Sequence, residues 1–175
     1  LLKKETCQAV LKFLEQILRR KPCTIIFDPG PLVDTLSAED LRAIIALSDW
    51  ITPNAYELQL IQKTLCPQQD PVGGLLAHGC RHVIVKQGGD GCTAYTPTQT
   101  ITIPAFQINI NETSGAGDSF AGGLIHSIIQ GAPLATALEY GSACGAITAT
   151  VEGPHARFTP QIITHFIENQ KDRKI

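Results

Sequence analysis

Glu112-Thr113-Ser114-Gly115-Ala116-Gly117-Asp118-Ser119-Phe120-Ala121-Gly122-Gly123 holds the most structural information in this chain. Phe120, Leu124, Ile125, Ile128 and Ile129 recur at helical spacing, which predicts a helix beginning near Gly117. Small residues at 115–117 let the backbone approach a ligand closely. The helix start would aim its free N–H groups and the positive end of its dipole at that ligand, forming an anion hole with Asp118 at the rim. An acid beside a bound phosphate is at odds with charge, unless Asp118 accepts the proton of a hydroxyl attacking that phosphate. The alternative is a Gly-rich helix start with an acidic first-turn residue. No G-x-x-x-x-G-K-[ST] loop occurs, and Phe120 fills the last Gly slot of a dinucleotide fingerprint.

Outward from that stretch, strands and helices alternate. Val10, Phe13, Leu14, Ile17 and Leu18 mark a first helix, stopped by Lys21-Pro22. Residues 24–27 read as a buried strand ending at Asp28-Pro29-Gly30, and Ser37 opens a helix through Leu47. A brief strand at 50–52 precedes a helix over 54–65, and residues 67–79 are polar, then helical. Residues 82–86 (HVIVK) form a strongly β-prone run closed by a turn at 88–91. Segments 92–95 and 99–103 look like short antiparallel strands. Helices are expected over 133–151 and from Thr159-Pro160 to about Glu168, with a fraying Lys-rich end. The pattern predicts a single α/β domain over residues 1–175, with helices packed on a mostly parallel sheet.

Composition agrees with a compact chain. Of 175 residues 43% are hydrophobic and 17% charged, against roughly 25% charged in ordinary globular chains. The net charge of −2 is scattered, with no basic stripe, which argues against nucleic acid or an anionic membrane as partner. Apolar runs are too short to span a bilayer. The six cysteines form no C-x-x-C pair, so reduced, packed thiols in a cytoplasmic protein are expected. Met is absent and the chain opens Leu1-Leu2-Lys3-Lys4, so we expect a piece of a longer protein.

Three further segments carry chemistry. Asn54 and Glu57, in Thr52-Pro53-Asn54-Ala55-Tyr56-Glu57, share one side of a helix start. They form either a capping box or an oxygen pair able to hold hydrated Mg²⁺. Val83-Ile84-Val85-Lys86-Gln87-Gly88-Gly89-Asp90-Gly91 is a strand and turn, either a plain hairpin or a nucleotide-lining loop. Asp28-Pro29-Gly30 ends an earlier strand.

In order and spacing these segments resemble the ribokinase-like (PfkB-type) carbohydrate and nucleoside kinases over roughly residues 5–168. The run at 112–123 resembles the D-T-x-G-A-G-D-x-F signature of that family, 53–57 its P-N-x-x-E element, and 83–91 its strand and G-x-x-G turn. The resemblance implies a three-layer α/β/α sandwich whose N-terminal part and lid would precede Leu1. It implies ATP and Mg²⁺ as cofactors and K⁺ as an option, with a sugar or nucleoside hydroxyl as acceptor. Asp118 would be the base, and Gly115, Ala116 and Gly117 the anion hole. Asn54, Lys86, Gly88, Gly91, Gly117 and Ser142 would contact the nucleotide, and Asn54 and Glu57 would support Mg²⁺ through water. Glu112 and Ser114 would lie at a monovalent-cation loop, and a homodimer would form through the missing lid. Glu112 replaces the family's usual Asp, Ser142 stands where Asn or His is common, and Arg157 where a small Ser is common. A second hypothesis, from another class, is a non-catalytic nucleotide-binding or interaction module, for which the intact Asp118 is an unneeded base.

Overall fold

The computed structural model describes residues 4–68 and 70–172. Its contacts cluster in two compact units, Leu1–Lys86 with Thr93–Thr100, and Gln87–Cys92 with Ile101–Ile175.

In the first unit, α1 (Lys4–Arg20) buries Cys7 and Leu11, with Leu14 and Leu18 half-covered on the same stripe. Phe13, expected on the packed face, is 59% exposed, because the stripe that begins at Cys7 leaves it pointing away. Gln8 on α1 donates to the buried Asp40 carboxylate of α2 (Ala38–Leu47), whose first turn is capped by Ser37. Strands β1 (Ile26–Phe27), β2 (Trp50–Ile51) and β3 (His82–Lys86) pair in parallel, with Ile26 opposite Trp50 and Ile51 opposite Val83. Parallel neighbours need crossovers. α2 supplies the first; α3 (Ala55–Leu65) and α4 (Pro71–Ala77), the latter capped by Asp70 with Pro71 in its first turn, supply the second. Phe27, Ile51, Val83 and Val85 meet Leu41, Ile45, Ile61 and Leu75 in one core. Strands β4 (Cys92–Tyr95) and β5 (Thr100–Ile103) follow, their turn closed by Thr96 N–H on the Gln99 carbonyl at 2.9 Å. The sheet order is β1-β2-β3-β4-β5.

At the amino end of β2 the Trp50 indole stacks on the His82 imidazole, with ring centres 3.8 Å apart and planes 8° off parallel. His82 Nδ1 is buried there without a hydrogen-bond partner.

The second unit is built on α5 (Ala116–Ile129), α6 (Leu134–Ala149) and α7 (Pro160–Asp172). Glycines let α5 and α6 touch backbone to backbone. A Cβ on Gly141 would lie 2.9 Å from the Phe120 carbonyl, and one on Gly123 would lie 2.6 Å from Cys144 Sγ. α7 seals α6 through Ile163 and Phe166, the latter edge-on to Phe106 at 5.1 Å. It runs on past Glu168 to Asp172, into the Lys-rich end expected to fray; the remainder of that end, residues 173–175, lies outside the described residues. All six cysteines are free thiols, and burial pushes those of Cys80 and Cys144 up to about 11. Among the described residues no helix is long and apolar enough to cross a membrane.

Candidate active site

In the first unit, the chemistry-bearing residues gather at the carboxyl ends of the three parallel strands, where open α/β sheets bind ligands. Asp28 follows β1, Thr52 follows β2 and Lys86 ends β3. The backbone locks them in register: Thr52 N–H donates to the Phe27 carbonyl at 3.0 Å, and Lys86 N–H to the Pro53 carbonyl at 2.9 Å. Asn54 forms a parallel bridge with Lys86. Asp28 Oδ1 accepts from the buried Thr52 hydroxyl at 2.9 Å and from Lys86 Nζ at 2.8 Å.

Asn54 and Glu57 form the capping box of α3. Glu57 N–H donates to Asn54 Oδ1 at 2.9 Å, and Asn54 N–H donates to Glu57 Oε2 at 2.8 Å. Glu57 is only 5% exposed. The cap and metal readings are compatible, because each of these oxygens has lone pairs beyond the one the cap uses. Hard oxygens from one carboxylate and one amide suit Mg²⁺, which keeps its waters and leans on one or two carboxylates plus phosphates. Among the described residues no group of three or more His, Cys, Asp or Glu side chains is placed to hold a metal ion.

In the second unit, Gly115 caps α5 with φ 74°, a left-handed conformation suited to glycine. A Cβ there would also lie 2.1 Å from the Pro154 carbonyl oxygen. Ala116 N–H turns back to the Thr113 carbonyl at 3.2 Å, and the intrahelical ladder starts with Ser119 N–H on the Gly115 carbonyl at 2.9 Å. Gly117 and Asp118 thus lie before the ladder and have no carbonyl four residues back within the helix. Of the three small residues, Ala116 contributes less free N–H than its place in the motif suggests. Asp118 is exposed in the first turn of α5, and no ion pair among the described residues involves it.

Glu112 and Ser114 stand together ahead of this helix. The Ser114 hydroxyl and the Gly153 N–H, 2.9 Å from Oε2, hold the Glu112 carboxyl below its ordinary value. Glu112 thereby ties the loop before α5 to residues following α6. Ser142, on α6, lies 3.5 Å from Cys92 Sγ, next in sequence to the turn of Gly88 and Gly91. Gly91 has φ 94°, and a Cβ there would lie 2.0 Å from the Ile103 carbonyl; around Gly88 the same position is open. Gly91 is therefore required by the turn itself, whereas Gly88 leaves room beside its φ of 58°.

The pfkB family carbohydrate kinase pattern matches residues 1–161. The chain belongs to that family. It is 34% identical over 149 residues to the ATP-dependent ribose-1-phosphate kinase of Halopiger xanaduensis, covering 85% of this chain and 48% of that protein. Among solved structures, the Burkholderia thailandensis nucleoside kinase in complex with inosine superposes with a TM-score of 0.82 at 27% identity, over 93% of this chain and 52% of that one. An E. coli ribokinase II in complex with ATP and Mg²⁺ gives 0.79 at 28% identity, over 92% and 53%. The fold of this pfkB chain is thus the ribokinase-like α/β sandwich. It spans about half the length of the relatives it matches.

Sequence reasoning noted Asp28 in this pfkB chain only as a strand end and gave Thr52 no role. The signal was present in the order of the strands, since each of Asp28, Thr52 and Lys86 lies at the carboxyl end of one. Pro154, whose carbonyl crowds Gly115, carries no such signal.

Proposed function

We propose that this chain carries the nucleotide-binding and base-bearing part of a kinase that moves the γ-phosphoryl group of ATP to a hydroxyl of a sugar or nucleoside. The observation that carries this reading is the start of α5, a glycine-capped helix end with N–H groups ahead of the ladder and an unpaired carboxylate in the same turn. The names of the relatives support the acceptor class, and the ATP and Mg²⁺ bound to the E. coli ribokinase II support the donor.

In this reading the acceptor oxygen bonds to the γ-phosphorus as the bond to the β,γ-bridging oxygen breaks. The hydroxyl proton passes to the Asp118 carboxylate. The N–H groups of Gly117 and Asp118 and the dipole of α5 meet the charge on the transferring oxygens. Gly115 allows the backbone turn that exposes them. A loose transition state asks chiefly for alignment, so Asp118 orients the hydroxyl and takes its proton late. Mg²⁺, when bound, would neutralise phosphate charge, and Asn54 and Glu57 would hold its waters. Lys86, Gly88, Gly91 and Ser142 would contact the nucleotide. Glu112 with Ser114 would order the loop ahead of the helix, the place of a monovalent-cation requirement.

Asp118→Asn in the active protein tests the reading. Turnover should fall by about two to four orders of magnitude, the usual share of a positioned acid–base group. ATP affinity should hold or improve, because a negative charge near phosphate is removed. A variant with near-normal kcat would overturn the catalytic assignment.

A further inference from the structure

Lys86 is not a free cation. Its side chain is 15% exposed, its backbone N–H is fixed to Pro53, and its Nζ lies 2.8 Å from Asp28 Oδ1. That same oxygen takes the Thr52 hydroxyl, and Thr52 is itself wholly buried and pinned to Phe27. A long lysine stem has many rotamers, and an exposed ammonium would sample them. Here one carboxylate oxygen, aimed by a buried hydroxyl, selects one. Asp28 is 31% exposed, so the pair sits partly out of water, where charges are less screened. An ammonium has three donors, and Asp28 occupies one of them. The others stand at the carboxyl ends of β1, β2 and β3.

We propose that Asp28 is a positioning residue for Lys86, fixing the ammonium and offsetting its charge so that it acts as a directed hydrogen-bond donor and not as a loose counter-ion. The pair itself stands on geometry; its service to a nucleotide phosphate rests on the functional reading above. Two effects of Asp28 then oppose each other. Its negative charge weakens the attraction of this corner for phosphate, while its hold on Nζ sharpens direction.

The ammonium can be followed directly in the nucleotide-free chain carrying ¹⁵N-labelled lysine Nζ. Lys86 should give a slowly exchanging Nζ cross-peak that disappears in Asp28→Asn and weakens in Thr52→Val. The second variant stands in for the first if Asp28→Asn does not fold. Absence of that signal in the unaltered chain, or its survival unchanged in the variants, would overturn the proposal. Calorimetry with MgADP supplies the other arm. Asp28→Asn should bind about threefold or more tightly, with a steeper dependence on NaCl, whereas Lys86→Gln should bind more weakly. Variants that lose thermal stability yet bind MgADP as the unaltered chain does would make the pair a mere strut and sink the proposal. An unaltered chain that shows the Nζ signal but binds no MgADP would uphold the ion pair and bring down the nucleotide reading instead.

Discussion

Glu57 closes the cap of α3, and a substitution can separate that role from the metal support proposed for it. Its Oε2 closes the capping box on the Asn54 N–H, while its charge is what a hydrated Mg²⁺ would use. Glu57→Gln keeps an acceptor for the cap and removes the charge. In the active protein the Mg²⁺ concentration for half-maximal rate should rise about tenfold, as when outer-shell metal support is lost, with little change in Tm. Unchanged Mg²⁺ dependence with a lower Tm would leave Glu57 as a cap alone. The sequence showed this residue and its partner because both lie within one helical turn, a separation that fixes contact on its own. It did not show what Asp28 touches. Thr52 and Lys86 come to that carboxylate from distant points, through strand register, and no local pattern encodes register between three strands.

At the scale of elements, α5 and α6 show how closely two helices can sit when glycines face each other. Gly141→Ala would drive a Cβ to 2.9 Å from the Phe120 carbonyl, a backbone atom that cannot swing aside. The expected cost is about 1–3 kcal/mol, read as a lower Tm or denaturant midpoint. Gly122→Ala on α5 is the control, since nothing lies within 4 Å of its Cβ position. Relief of the helical glycine penalty should leave it neutral or more stable by roughly 0.5–1 kcal/mol. A Gly141→Ala chain as stable as the unaltered one would mean that the helices part without loss. Two helix starts were legible because Ser37 and Asn54 announce them, each accepting an N–H three residues on. The packed face of α1 was not, since its apolar residues offer more than one stripe and periodicity alone does not choose. Cys7 and Leu11, both buried, lie on the stripe that leaves Phe13 outside.

For the molecule as a whole, the four motifs placed the family because they occur in the right order, although each alone has a plain structural reading. The sequence carried no sign of two compact units, for no Gly- or Ser-rich linker marks a passage between them. The chain spans about half the length of its relatives. The 175-residue chain is therefore expected to bind MgADP weakly and to release no ADP in response to sugars or nucleosides. Calorimetry and a coupled ADP assay check both halves, and acceptor-dependent turnover would refute the second. The ring stack on β2 also gives this protein a built-in optical gauge. Trp50 is the sole tryptophan, so its emission reports on one place. Burial lowers the His82 pKa from its ordinary 6.5, with Arg81 acting the same way, while the Asp49 carbonyl and charge act against it. That carbonyl already accepts the backbone N–H groups of Arg81 and His82, and Nδ1 is buried without a hydrogen-bond partner. Stability from the neutral ring is complete above pH 6.5 and is lost as the pH falls through the lowered value. Acid should therefore dim the indole, with a midpoint below 6.5 that vanishes in His82→Phe, and the fluorescence would follow the sheet without any added label.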